Sequence, residues 1–156
     1  FDKDRIYNLY LGPTRIKPDR KMIVSALEFF KQVDVFTADT EHLFSLIFDD
    51  SPRNPKYYTN RKDPFPNTLV HYYYDVYASN LRIYVLNINL SVGENKGKDT
   101  GYSELHVFSW EGDPIALYRL DHLIYSFTID EEEEYLYGLL LPEDEKIKSQ
   151  VIRYKL

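Results

Sequence analysis

The chain has 156 residues, 44% of them hydrophobic, which suits one globular domain with a sizeable core. A formal net charge of -6 argues against nucleic acid, which needs a clustered basic surface, and against anionic membrane surfaces. With no Cys, disulfide frameworks and thiolate metal sites are excluded, and no apolar run approaches the ~18 residues of a spanning helix.

Aromatic residues make up 16%, led by 15 Tyr and 9 Phe, and these favour strands. Tyr-rich surfaces also serve binding faces, although packing between strands is the plainer reading. No signal peptide is visible. The chain starts at Phe1 and not Met, which points to processing, trimming or excision from something longer.

Arg5 to Leu11 is a short aromatic-aliphatic run closed by Gly12-Pro13. Ile16 to Lys21 is polar, with Pro18-Asp19 as a turn. Met22 to Phe30 is apolar; Ile23 and Val24 favour strand over helix. Gln32 to Thr37 alternates, and His42 to Phe48 follows as another strand. Asp49 to Pro66 holds Pro52, Pro55, Pro64 and Pro66 and reads as a long exposed loop, of a kind that is often functional or a linker.

Leu69 to Ala78 and Leu81 to Leu90 read as paired strands across Ser79-Asn80. Gly93 to Gly101 is a polar loop. Glu104 to Trp110 and Ile115 to Leu120 form a hairpin, with Gly112 expected in a turn conformation that suits Gly. Leu123 to Ile129, Tyr135 to Leu141 and Gln150 to Leu156 complete the strands. Asp130 to Glu134 and Pro142 to Ser149 are the turns between them.

Two features recur. The hairpin mark Val35-Phe36 reappears as Val107-Phe108, and Ile83-Tyr84 reappears as Leu136-Tyr137. Repeated hairpins with aromatic marks indicate a repeat architecture. A four-stranded propeller blade takes about 40–50 residues, so the length accommodates about three. The expected fold is all-β, an antiparallel β-propeller fragment of about three four-stranded blades. It forms a single partial domain over residues 1–156, with units at about 1–66, 67–121 and 122–156.

The segment Leu105-His106-Val107-Phe108-Ser109-Trp110-Glu111-Gly112-Asp113-Pro114-Ile115, continuing to Leu120-Asp121, resembles the TolB-like six-bladed β-propeller lipoproteins of bacterial envelopes. Ile124 to Asp130 with Leu136-Tyr137-Gly138 is similar to that family's final blade, and Tyr74 to Tyr84 to the blade before it. The resemblance implies the C-terminal half of such a propeller and a place in the periplasm or on the outer surface. Three blades cannot ring a channel, so the missing ones are expected from the rest of a longer chain or from a homodimer.

Candidate chemistry is sparse. Gly93-Glu94-Asn95-Lys96-Gly97-Lys98-Asp99 departs from a phosphate loop in spacing and places Asp where Ser or Thr is needed. Asp130 to Glu134 is an unbroken acidic run, more in keeping with a solvated turn than with calcium ligands; Glu143, Asp144 and Glu145 read likewise. His42, His71, His106 and His122 lack the spacing of a local metal pair. There is no Gly-x-Ser-x-Gly elbow, and Asn89-Leu90-Ser91 is a glycosylation acceptor only in form. Trp110, the lone Trp, reads as a blade-packing residue or as an aromatic platform on a binding face. No catalytic, cofactor-binding or metal-ligating residue is assigned, and no cofactor is expected.

The expected function is a non-enzymatic binding or interaction module of the bacterial cell envelope, with an unidentified protein or carbohydrate ligand. Nucleic acid and membrane spanning are not expected. The alternative is a propeller hydrolase or lactonase with a metal-assisted site at the channel mouth.

Overall fold

Alternating β-branched and aromatic residues set the strands, and turn residues cut them into meanders. The computed structural model describes residues 10–48, 70–91, 101–140 and 149–156. Strands β1 (Thr14–Ile16), β2 (Met22–Ala26), β3 (Gln32–Thr37) and β4 (His42–Ile47) form the first sheet in that order. The second sheet runs β5 (Val70–Ala78), β6 (Arg82–Ser91), β7 (Ser103–Ser109) and β8 (Pro114–Leu120). The third has β9 (Ser126–Ile129), β10 (Tyr135–Leu140) and β11 (Gln150–Lys155), one strand fewer among the described residues than the four expected. All neighbours are antiparallel. The all-β propeller-fragment architecture expected from the sequence is what the structure has. No helix among the described residues is long and apolar enough to cross a membrane.

The recurrence of Val35-Phe36 as Val107-Phe108 has a physical basis. Each pair sits at a β-bulge on the third strand of its sheet. Each strand then ends in the same turn. The Thr37 N–H donates to the Glu41 carbonyl (2.8 Å), and the Thr37 hydroxyl accepts from the Glu41 N–H (3.1 Å). Ser109 does the same with Asp113 at 2.9 and 3.2 Å. The fourth residue of each turn has positive φ, 67° at Thr40 and 96° at Gly112. Gly112 thus adopts the expected turn conformation. A side chain there would also meet Phe44 and Leu46, 3.0 and 3.1 Å away, because β4 packs on this turn.

Two details differ from the sequence reading. The short strand β1 lies partly in a stretch read as a polar turn. The strand expected over 22–30 ends at Ala26, and a turn follows. That turn stays apolar because Leu27 and Phe29 are themselves buried, so hydrophobicity does not mark the strand end. The expected loops over 49–66 and 93–101 and the turn over 142–149 lie outside the described residues, apart from Gly101 and Ser149 at their ends.

The second sheet is covered on both faces, which explains the nearly continuous burial of β6. One face packs Val76, Ile83, Val85, Phe108 and Trp110 against Val24, Ala26, Val33 and Val35 of the first sheet. The other packs Tyr84, Leu86, Leu105 and Val107 against Ile124, Phe127, Ile129 and Leu136. Neighbouring sheets meet through β1 and β2 against β5, and through β5 against β9.

Candidate functional site

The structure places Trp110 in the core, 3% exposed. Its indole N–H donates to the Ser79 carbonyl (3.0 Å), tying two turns of the second sheet together, and the Lys17 ammonium lies 5.2 Å from the ring centroid. The ring packs, with little surface left for a ligand.

The four histidines stay apart, each beside a carboxylate. His42 and Asp34 share Ser45: the Ser45 hydroxyl donates to Asp34 Oδ1 (2.6 Å), and His42 Nε2 lies 3.0 Å from Ser45 Oγ. A nucleophile needs its proton pointed at the base. Here the proton is committed to Asp34, so the trio is a strand-to-strand clasp. His122 sits on the surface with Asp121 and Tyr154. Among the described residues, no group of three or more His, Asp or Glu is placed to hold a metal.

The acidic run has two structural uses. Asp130 Oδ1 accepts the N–H groups of Glu134 and Tyr135, at 2.8 and 2.9 Å, and closes the β9–β10 turn. Glu133, at φ 56°, accepts from the Tyr84 hydroxyl (2.8 Å) and lies 3.5 Å from the Arg82 guanidinium. Burial, with Glu133 adding to it, pushes the Tyr84 phenol up to about 12. Residues 143–145 and the glycine loop at 93–99 lie outside the described residues.

Asp75, buried on β5, joins all three sheets. It accepts from Arg15 of β1 (3.1 Å) and from the Ser126 hydroxyl and the Phe127 N–H of β9, at 2.7 and 3.2 Å. Its own strand contributes the Val76 N–H (2.9 Å). Nearby, His71 Nδ1 lies 2.7 Å from Glu28 Oε1, with Phe29 and Tyr74 rings beside it. Burial raises the Tyr74 phenol, helped by the Glu28 charge. These groups are engaged in holding the inner strands together.

A different arrangement lies farther out, between the first and second sheets. On the sheet-two face that meets sheet one, His106 is paired across strands with Leu117, and Phe108 with Pro114. Phe48, just past β4, stacks on Phe108 (5.2 Å between centroids) and stands edge-on to His106 (6.3 Å). These side chains, with Ile115 and Ala116, line an open groove of about 390 Å³. Such a volume falls in the range of about 300–1,000 Å³ seen for small-molecule sites.

The groove has one polar wall, His106. Burial lowers its basicity, and Lys31 adds to that; Glu104, whose Oε2 lies 3.5 Å from Nε2, opposes it. Behind it stands Tyr73, with ring centroids 5.8 Å apart, and Tyr73 pairs with Asn87 and Asn87 with Glu104 across the strands. Asn87 Nδ2 donates to Glu104 (3.0 Å). The buried Tyr73 hydroxyl and the side-chain carbonyls of Asn87 and Asn89 have no hydrogen-bond partner among the described residues. Burial, with the Glu104 charge adding to it, strongly raises the Tyr73 phenol.

The bulged strands, the twin turns and the three stacked sheets can be compared with known families. A family model described as TolB-like 6-blade propeller-like matches residues 5–132. The chain belongs to the TolB-like propeller family. A search of curated proteins finds no match. The TolB-like match spans the first two sheets and enters the third through β9. Beyond it, β10 pairs with β9, and β11 with β10, extending the third sheet. The residues that line the groove all fall within the match: Phe48, His106, Phe108 and residues 114–117 are inside 5–132.

Sequence reading missed this groove because its parts are far apart in the chain. His106 looks like one strand residue among many, and Phe48 like the end of another. The only local sign is aromatic enrichment around His106 and Phe108.

Proposed function

We propose that the chain is a non-enzymatic binding module of a bacterial cell-envelope propeller protein. The observation that carries this reading is the open groove between the first two sheets, walled by Phe48, Phe108, Ile115 and Leu117 with His106 as its polar group. Apolar walls with few polar groups are what a binding site uses. The TolB-like family is generally one of bacterial envelope or periplasmic proteins, which supports the location. The three sheets are read as blades of one propeller whose remaining blades come from flanking sequence or a second copy.

Calcium separates this reading from a metal-assisted hydrolase or lactonase. The thermal midpoint of the chain is expected to be the same in millimolar calcium and in chelator. A midpoint raised by calcium and lowered again by chelator, together with turnover of a lactone, would replace the binding reading with the enzymatic one.

A further inference from the structure

We propose that the groove between the first and second sheets takes a small, uncharged aromatic molecule that carries a ring hydroxyl or ring N–H. This rests on the binding-module reading and adds the ligand class. The shape of the walls gives the aromatic part. Phe48 and Phe108 stack at 5.2 Å with an interplanar angle of 23°, and both stand edge-on to His106. Flat ligands match such ring walls through offset or edge contacts. Pro114, Ile115 and Leu117 complete an apolar rim, and Ile115 and Leu117 are 47% and 65% exposed.

The tautomer of His106 gives the polar part. Burial keeps the ring neutral, so it has one N–H and one lone pair. Nε2 faces a Glu104 oxygen, which only accepts while ionised. In the tautomer that lets Nε2 donate to Glu104, Nδ1 is a lone-pair acceptor with no partner among the described residues. A ligand that complements it must donate. The Tyr73 ring packs against the same imidazole, and its buried hydroxyl has no partner among the described residues. A charged ligand fits poorly, since an ionic group would lose water against apolar walls.

The test uses phenol, toluene and benzoate with the 156-residue chain, read by amide chemical shifts of residues 106–108 and 115–117. Phenol is expected to give saturable shifts at about millimolar concentration, binding at least about tenfold tighter than toluene. His106→Phe keeps the ring wall and should remove that preference without weakening toluene. Leu117→Asp changes an exposed position, so the fold should survive, and it should weaken phenol and toluene alike. Thermal melts of both variants check folding. If phenol and toluene bind equally and His106→Phe changes neither, the ligand class is wrong while the groove stands as a binding site. Benzoate binding tighter than phenol would likewise overturn the uncharged class. If no probe shifts these amides, both the ligand class and the groove as the binding site fall.

Discussion

The two seams of the molecule solve the same packing problem differently. Between the second and third sheets, polar groups find partners. Asp75 takes Ser126 and Phe127, Glu133 takes Tyr84, and the buried Ser103 hydroxyl accepts the Ile124 N–H at 3.0 Å. Between the first and second sheets, the inner part is equally well joined, by Arg15 to Asp75 and Glu28 to His71. Farther out, a groove opens beside Phe48, and the buried Tyr73 hydroxyl has no partner among the described residues. Buried polar groups are normally paired, and those that are not call for an explanation. The contrast assigns one seam to holding the arc together and the outer part of the other to binding.

The largest effect should come from Asp75. Asp75→Ala strands the Phe127 and Val76 N–H groups and frees all three inner strands, at a cost of about 3 kcal/mol or more. A denaturation midpoint close to that of the parent chain would show that the inner junction is not what joins the sheets.

Next is the turn that β4 packs on. Gly112→Val introduces a β-branched residue at φ 96° and pushes on Phe44 and Leu46. The expected loss is about 1–3 kcal/mol in urea unfolding. The matching turn already carries Thr40 at φ 67°, so Thr40→Gly should stabilise, or at worst be neutral. Destabilisation by Thr40→Gly would break the equivalence of the two turns.

These turns also show how far the sequence can be read. The strand pattern, the recurring Val-Phe hairpin mark and Gly112 are local, so alternation and turn chemistry make them legible in the sequence, whereas the bulges at the Val-Phe pairs are not. The strand end at Ala26 was hidden, because the following turn buries Leu27 and Phe29 in the seam and therefore looks like more strand. Asp75 gave no sign of joining three sheets, since Arg15 and Ser126 are distant in sequence. The acidic run at 130–134 read as solvated, yet Asp130 closes the turn and Glu133 crosses a seam. Trp110 was open between packing and ligand stacking; its burial and its bond to Ser79 give it a packing contact. The groove was not legible at all, because it exists only once two sheets meet.

A smaller effect concerns pH. Burial lowers the His106 pKa in the folded chain below its ordinary value near 6.5. The neutral form is favoured by folding, so this contribution is fully present above about pH 6.5 and is lost as pH falls below it. Stability of the parent chain should therefore decline faster between about pH 6.5 and 5 than that of His106→Phe, as followed by urea midpoints. Parallel profiles would show that His106 is not held neutral in the seam.

The most direct test of the contrast makes the same change in each seam. Tyr73 and Tyr84 are both buried, at 0% and 1% exposure, and differ in what their hydroxyls meet. Tyr84→Phe removes a donor to Glu133 and should lower stability by about 1–2 kcal/mol. Tyr73→Phe removes a hydroxyl that has no partner among the described residues and should leave the urea midpoint unchanged or higher. A drop with Tyr73→Phe as large as with Tyr84→Phe would mean that the first seam is as fully bonded as the second, and would contradict the division between a structural seam and a binding one.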